Sequence, residues 1–122
     1  MAKILLVDDN DTFRDMVDQM LRRAGYEVIG ARDGKEALQL YDAQTVNLVV
    51  ADLIMPDMEG IQLIMELRRR DAGVKIIAMS GGGRNSPEDY LPVARALGAV
   101  HTLAKPFSSD ELSGAIQSII GS

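Results

Sequence analysis

The residues of this 122-residue chain best suited to chemistry stand at the ends of short apolar runs. Ile4-Leu5-Leu6-Val7 stops at Asp8-Asp9, and Leu48-Val49-Val50-Ala51 stops at Asp52. Lys75 to Met79 stops at Ser80, and Val100 to Ala104 stops at Lys105. The first two runs are continuously apolar, as in strands buried on both faces, and the other two are of strand length. In an open sheet of parallel strands, ligands bind outside the carboxyl ends, so these residues would share one rim. A single strand-terminal Asp is more often a helix cap than a ligand. Three carboxylates brought together, however, repel and desolvate badly unless a cation joins them. All-oxygen ligation favours Mg2+ over zinc or copper. Mg2+ beside a Lys and a Ser is the equipment for handling a phosphoryl group: the cations neutralise its oxygens and the hydroxyl donates one hydrogen bond.

The intervening sequence supplies the elements that must position these groups. Phe13, Met16, Val17, Met20, Leu21 and Ala24 recur at helical spacing, with Asp11 or Thr12 as N-cap and Gly25 as the stop. Glu27–Ala31 is a second strand with a bland end, as suits a sheet edge. Asp33-Gly34-Lys35-Glu36 resembles a capping box opening a helix that carries Ala37, Leu38 and Tyr41. After Asp52 comes a loop with Pro56 and Gly60, then a helix carrying Ile61, Ile64, Met65 and Leu67. Gly81-Gly82-Gly83 is a loop with little steric restraint. Ser86-Pro87 opens a helix that Pro92 must delay or kink. Ser108-x-x-Glu111 caps a last helix carrying Leu112, Ala115, Ile116 and Ile119. Five βα units in alternation predict an open parallel sheet with helices on both faces and right-handed crossovers.

Composition removes several function classes. The length fits one domain, and the absence of Cys excludes disulfides, thiolate metal sites and a thiol nucleophile. No apolar run reaches ~18 residues and no signal peptide is evident, which predicts a cytoplasmic protein without a membrane segment. A net charge of −5 does not suit direct nucleic-acid binding. No Walker loop and no Gly-x-Gly-x-x-Gly occurs, so nucleotide hydrolysis and dinucleotide binding lack support. The single histidine, His101, lies within a strand and reads as structural. Arg68-Arg69-Arg70 ends a helix, where cations complement the macrodipole, so it reads as a solvated helix end.

Leu6-Val7-Asp8-Asp9, Asp52-Leu53-Ile54-Met55-Pro56 with Gly60, Ser80-Gly81 and Lys105-Pro106-Phe107 resemble the receiver domain of two-component response regulators (CheY-like). The blocks come in that order at spacings of 43 (52−9), 28 (80−52) and 25 (105−80), and the resemblance covers essentially the whole chain. It implies a flavodoxin-like, doubly wound (βα)5 fold with strand order 2-1-3-4-5, residues 1–122 being one receiver with nothing left over for an output domain. It implies that Asp52 takes a phosphoryl group from a phosphohistidine donor, a histidine kinase or a histidine phosphotransfer protein. Asp9, Asp52 and the backbone carbonyl of Ile54 would ligate Mg2+ directly, and Asp8 through water. Lys105 would pair with Asp52 and then with a phosphoryl oxygen, and Ser80 would swing to the phosphoryl group. The Lys105–Pro106 peptide would be cis. The output would be a changed surface around the helix opening at Ser86, the fifth strand and the last helix, which also offers a route to a weak dimer of an otherwise monomeric protein.

The sequence departs from the family pattern in places. Thr102 stands where many receivers carry the aromatic half of the switch, with His101 facing the other way by strand alternation. The stretch from Ser80 to Lys105 is a few residues longer than typical. Both suggest activation by ordering the Gly81–Gly83 loop and the helix after it. Apolar Ile54, two residues after the acceptor, suggests slow self-dephosphorylation. Two other readings share parts of the pattern. A haloacid dehalogenase-like phosphohydrolase would need Asp-x-Asp-x-Thr, but Asn10 interrupts the motif read from Asp8 and Phe13 replaces Thr read from Asp9. A flavodoxin-type FMN binder would need a phosphate loop where this chain has acids.

Overall fold

The computed structural model describes residues 2–53, 60–80, 96, 98–105 and 107–120. Along them run β1 (Lys3–Val7), α1 (Asp11–Arg23), β2 (Glu27–Ala31), α2 (Gly34–Ala43), β3 (Leu48–Asp52), α3 (Gly60–Arg70), β4 (Ile76–Ser80), β5 (His101–Ala104) and a last helix, α4 (Ser109–Ile120). The Gly81–Gly83 loop and the helix expected from Ser86 lie outside the described residues, as do Ile54 and Pro106.

All five strands are parallel, in the order β2-β1-β3-β4-β5. This is the flavodoxin-like, doubly wound order expected. Because strand side chains alternate, the sheet divides its apolar residues between two cores. Leu5, Val7, Val49, Ala51, Ile76 and Ala78 pack with α2 and α3 on one face. Ile4, Leu6, Val50, Ile77, Met79 and Leu103 pack with α1 and α4 on the other. Ile4–Val7 of β1, Leu48–Ala51 of β3 and Ile76–Met79 of β4 are apolar without a break because helices cover them on both sides. No described helix is long and apolar enough to cross a membrane.

Local chemistry explains the helix ends. The cap of α1 is Asn10, neither Asp11 nor Thr12: its side chain accepts from the Phe13 N–H at 2.9 Å. Asp11 instead sits in the first turn and accepts from Arg14 at 2.6 Å. Gly25 ends the helix as expected, at φ +96°, a conformation that strains any residue with a Cβ. Asp33 caps α2 by accepting from the Glu36 N–H, while Glu36 reaches back one residue further than in a capping box, to the Arg32 N–H. Ser108 and Glu111 exchange both bonds of a complete capping box at α4.

Two methionines placed on the helical stripes, where a core position is the ordinary expectation, lie outside the core. Met16 and Met65 are 43% and 54% exposed. Each lies about 100° round its helix from the buried Val17 and Ile64 that follow or precede it, outside the packed stripe. Leu63 takes the place in the α3 core that the sequence pattern assigned to Met65. Arg69 and Arg70 are exposed as expected, yet Arg70 also joins α3 to α2 through Asp42 at 3.1 Å.

Candidate functional site

The rim at the carboxyl ends of the strands is built residue by residue. The Asp8 N–H donates to the Ala31 carbonyl at 3.1 Å, which carries the β1–β2 ladder one step beyond Val7 and brings Asp8 inside the protein, fully buried. Its Oδ1 accepts from the Asn10 N–H at 2.9 Å, and its carbonyl accepts from Arg14 Nη1 at 2.7 Å. With one carboxylate oxygen held by backbone, Oδ2 faces Lys105 Nζ at 2.9 Å. Asp52 ends β3 on the neighbouring strand, also buried, and its Oδ2 lies 3.5 Å from the same ammonium. The neighbouring Asp9 is exposed.

Gly60, the first residue of α3, fits directly beneath this strand end. Its N–H donates to the Leu53 carbonyl at 2.8 Å, and a Cβ there would collide with the Asp52 carbonyl oxygen and with Leu53 Cα. Only glycine lets the helix start so close to the strand that carries Asp52.

Asp8, Asp9 and Asp52 each offer an oxygen, and the three lie within 4.8 Å of one another. At an effective dielectric near 20, two charges about 5 Å apart repel by roughly 3 kcal/mol. Three such pairs face one ammonium, so the cluster keeps net negative charge and attracts a further cation. An octahedral ion at ~2.0–2.1 Å from its ligands spaces them by at most ~4.2 Å, which small side-chain rotations reach from here. The purely oxygen donor set fits a hard ion such as Mg2+.

Lys105 is held from its backbone and from its tip. Its N–H donates to the Ser80 carbonyl at 2.8 Å, extending the β4–β5 ladder past Ala104. Its ammonium also lies over the Phe13 ring, 4.2 Å from the centroid. Phe13 in turn meets Phe107 edge to face, with ring centroids 5.7 Å apart at 88°. Ser80 ends β4 with its side chain buried, and its Oγ finds no hydrogen-bond partner among the described residues. A buried hydroxyl left unpaired is uncommon in native proteins and marks a site of interest.

Of the residues singled out from sequence, Asp8, Asp9, Asp52 and Lys105 are brought together, and Ser80 sits on the strand between Asp52 and Lys105. Lys105 forms ion pairs with both acids, at 2.9 Å with Asp8 and at 3.5 Å with Asp52. Thr102 is half-buried opposite Ala78, on the α2–α3 side of the sheet, and His101 lies opposite Ile77 on the other side. The roles given to Ile54 and Pro106 fall outside the described residues. The contacts of Phe13, Arg14 and Asn10 at the rim were not foreseen. Phe13 was legible only as a member of the α1 stripe, although its place four residues after Asp9 puts it on the first turn above the site.

A doubly wound sheet that gathers three acids, a hydroxyl and a lysine at its carboxyl edge defines the class of CheY-like domains. Residues 4–117 match the response regulator receiver domain, and the chain belongs to that family, whose members are phosphorylatable signalling switches rather than classical enzymes. It is 35% identical over 115 residues to the chemotaxis protein CheY of Bacillus subtilis, with 93% of each chain covered. It is 37% identical over 118 residues to the probable transcriptional regulator ycf27 of Porphyridium aerugineum, covering 97% of this chain and 48% of that protein. The chain thus spans about half the length of several curated relatives that it matches. Among solved structures, the response regulator TrrA of Thermotoga maritima in complex with Mg2+–BeF is similar with a TM-score of 0.87 at 28% identity, covering 98% of this chain and 100% of that one.

Proposed function

We propose that this receiver accepts a phosphoryl group on Asp52 from a phosphohistidine of a histidine kinase or histidine phosphotransfer protein. The observation that carries the proposal is the buried Asp52 carboxylate, within 4.8 Å of two further acids and 3.5 Å from the Lys105 ammonium. An oxygen of Asp52 attacks phosphorus, forming an acyl phosphate as the P–N bond breaks. The departing imidazole nitrogen keeps the bond's electron pair. Lys105 moves from Asp8 toward the new phosphoryl oxygens and offsets their charge. The Ser80 hydroxyl, buried and without a partner among the described residues, donates to one of them. Asp8, Asp9 and Asp52 would hold Mg2+, with the Ile54 carbonyl as a further ligand, and the ion would supply neutralisation of the phosphoryl oxygens. That TrrA was crystallised with Mg2+–BeF supports this assignment.

Thr102 is smaller than the aromatic residue common at its place. We therefore assign the output to ordering of residues 81–92 and to the surface formed with β5 and α4, and this surface would regulate a downstream partner. Amide exchange in residues 81–92 slows on adding Mg2+ with beryllofluoride under this reading, and unchanged exchange refutes it. Self-dephosphorylation is slow because Ile54 offers no polar group to position water; Ile54→Asn shortens the acyl-phosphate lifetime, and an unaltered lifetime refutes this role.

The central test is incubation of wild type and Asp52→Ala with acetyl phosphate and Mg2+. Wild type gains a hydroxylamine-labile mass addition of one phosphoryl group and Asp52→Ala gains none. An adduct surviving in Asp52→Ala overturns the assignment of the acceptor.

A further inference from the structure

Phe13 lies against one group that the proposed phosphoryl transfer uses, the Lys105 ammonium. We propose that Phe13 is a positioning residue for Lys105: its ring face, braced by Phe107, keeps the ammonium at the phosphoryl site without occupying any of its hydrogen-bond donors. The inference rests on Asp52 being the acceptor.

Two geometric observations carry it. The ammonium lies 4.2 Å from the Phe13 centroid, while it is also 2.9 Å from Asp8 Oδ2 and 3.5 Å from Asp52 Oδ2. The ring itself is not free to turn away, because Phe107 meets it edge to face and is buried in the core with Leu112 and Ile116. A chain of contacts therefore leads from the α1–α4 core to the lysine tip.

The chemistry of the ring suits this duty. An ammonium has three donors and no acceptor. A third carboxylate in the place of Phe13 would take a donor and neutralise the charge, and an aliphatic side chain would offer only contact. The aromatic face attracts the cation through its quadrupole while demanding no directed hydrogen bond. All three N–H groups thus remain for Asp8, Asp52 and an incoming phosphoryl oxygen. The ammonium can pass from Asp8 to the phosphoryl group while the ring keeps it from swinging into solvent. The Lys105 side chain is only 16% exposed, so the attraction is little weakened by water.

The test compares wild type with Phe13→Leu, which keeps an apolar side chain, and Phe13→Tyr, which keeps the ring. In metal-free protein, NMR should find the Lys105 ε-methylene displaced upfield by the ring current. The displacement is lost in Phe13→Leu and retained in Phe13→Tyr. At saturating Mg2+, phosphorylation by acetyl phosphate is about three- to tenfold slower in Phe13→Leu, the range that a partly desolvated cation–π contact supports. It stays within about twofold of wild type in Phe13→Tyr, and Mg2+ affinity is unchanged in both. A wild-type rate in Phe13→Leu overturns the inference, as does a rate loss matched by an equal loss of Mg2+ affinity and of the unfolding midpoint. If wild type takes no phosphoryl group, the acceptor reading fails instead, and a Lys105 methylene without an upfield displacement overturns the positioning role on its own.

Discussion

Replacing Ser80 by alanine is expected to make the unphosphorylated protein more stable. The Ser80 side chain is 1% exposed and its hydroxyl has no partner among the described residues. Burying such a group without a hydrogen bond costs roughly 1–3 kcal/mol. Alanine removes that cost and leaves a void smaller than a methyl group, which costs at most ~1 kcal/mol. The net gain is about 1 kcal/mol, equal to a rise of about 3–5 °C in the unfolding midpoint for a domain of this length. Urea unfolding with an unchanged m-value, together with a thermal scan, measures it. The same substitution removes the donor that the phosphoryl group needs, so Mg2+ with beryllofluoride stabilises wild type more than Ser80→Ala and reverses their order. Destabilisation of Ser80→Ala by 1 kcal/mol or more would show that the hydroxyl is already paired and refute the reasoning. So would equal stabilisation of both proteins by beryllofluoride.

Three other outcomes are expected. Gly60→Ala forces the start of α3 and the Asp52–Leu53 backbone apart by about 1 Å to restore ordinary carbon separations; it lowers stability by about 2–3 kcal/mol and slows phosphorylation of Asp52 by about 100-fold, as chemical denaturation and acetyl phosphate kinetics will read. Asp9→Ala leaves the midpoint nearly independent of Mg2+, whereas wild type gains about 2.7 kcal/mol at a Mg2+ concentration 100 times its dissociation constant, which calorimetric scans across a Mg2+ series check. The Tyr41 phenol is pushed up to about 12 by burial, by the hydrogen bond it donates to Asp71 and by the charges of Asp71 and Asp42. A folded pKa above the unfolded value contributes stability that is complete below pH ~10 and is lost as pH rises through about 12, so Tyr41→Phe should flatten the alkaline limb of the stability profile between those values.

The strands and the rim were legible because both rest on short-range chemistry. An unbroken apolar run such as Leu48–Ala51 needs cover on both faces, and the polar residue that stops it necessarily lands at a sheet edge. Caps were legible where a side chain and its target are three residues apart, as with Ser108 and Glu111. They failed at Asn10, where five consecutive polar residues, Asp8 to Thr12, each had a suitable side chain and the decision fell to backbone angles. Helical periodicity identified α1 and α3 but not the width of their buried stripes, which depends on how each helix sits on the sheet; hence Met16 and Met65. The choice of Lys105 between Asp8 and Asp52 was out of reach for another reason. Asp8 Oδ1 is engaged by the Asn10 N–H and Oδ2 by the ammonium, contacts set by the turn and by side-chain conformation and not by any spacing in the sequence.

The strand order also bears on how the chain assembles. β1 pairs with β2 across 24 residues (Ile4 with Val28), β3 with β4 across 27 (Val49 with Ile76) and β4 with β5 across 24 (Ile77 with His101). The remaining seam, β1 with β3, joins Ile4 to Leu48 across 44 residues because β2 has been moved to the outside. Closing that longer loop costs about 0.5 kcal/mol more than closing one of the others, since the cost grows with the logarithm of length. Asp8 and Asp52 extend from the two sides of this seam. Every other register joins strands that follow one another in the chain, but these two acids meet only when strands from separate units have docked. A kinetic probe placed on their encounter, such as competence to bind a divalent ion during refolding, would therefore report completion of the central sheet rather than collapse of its parts.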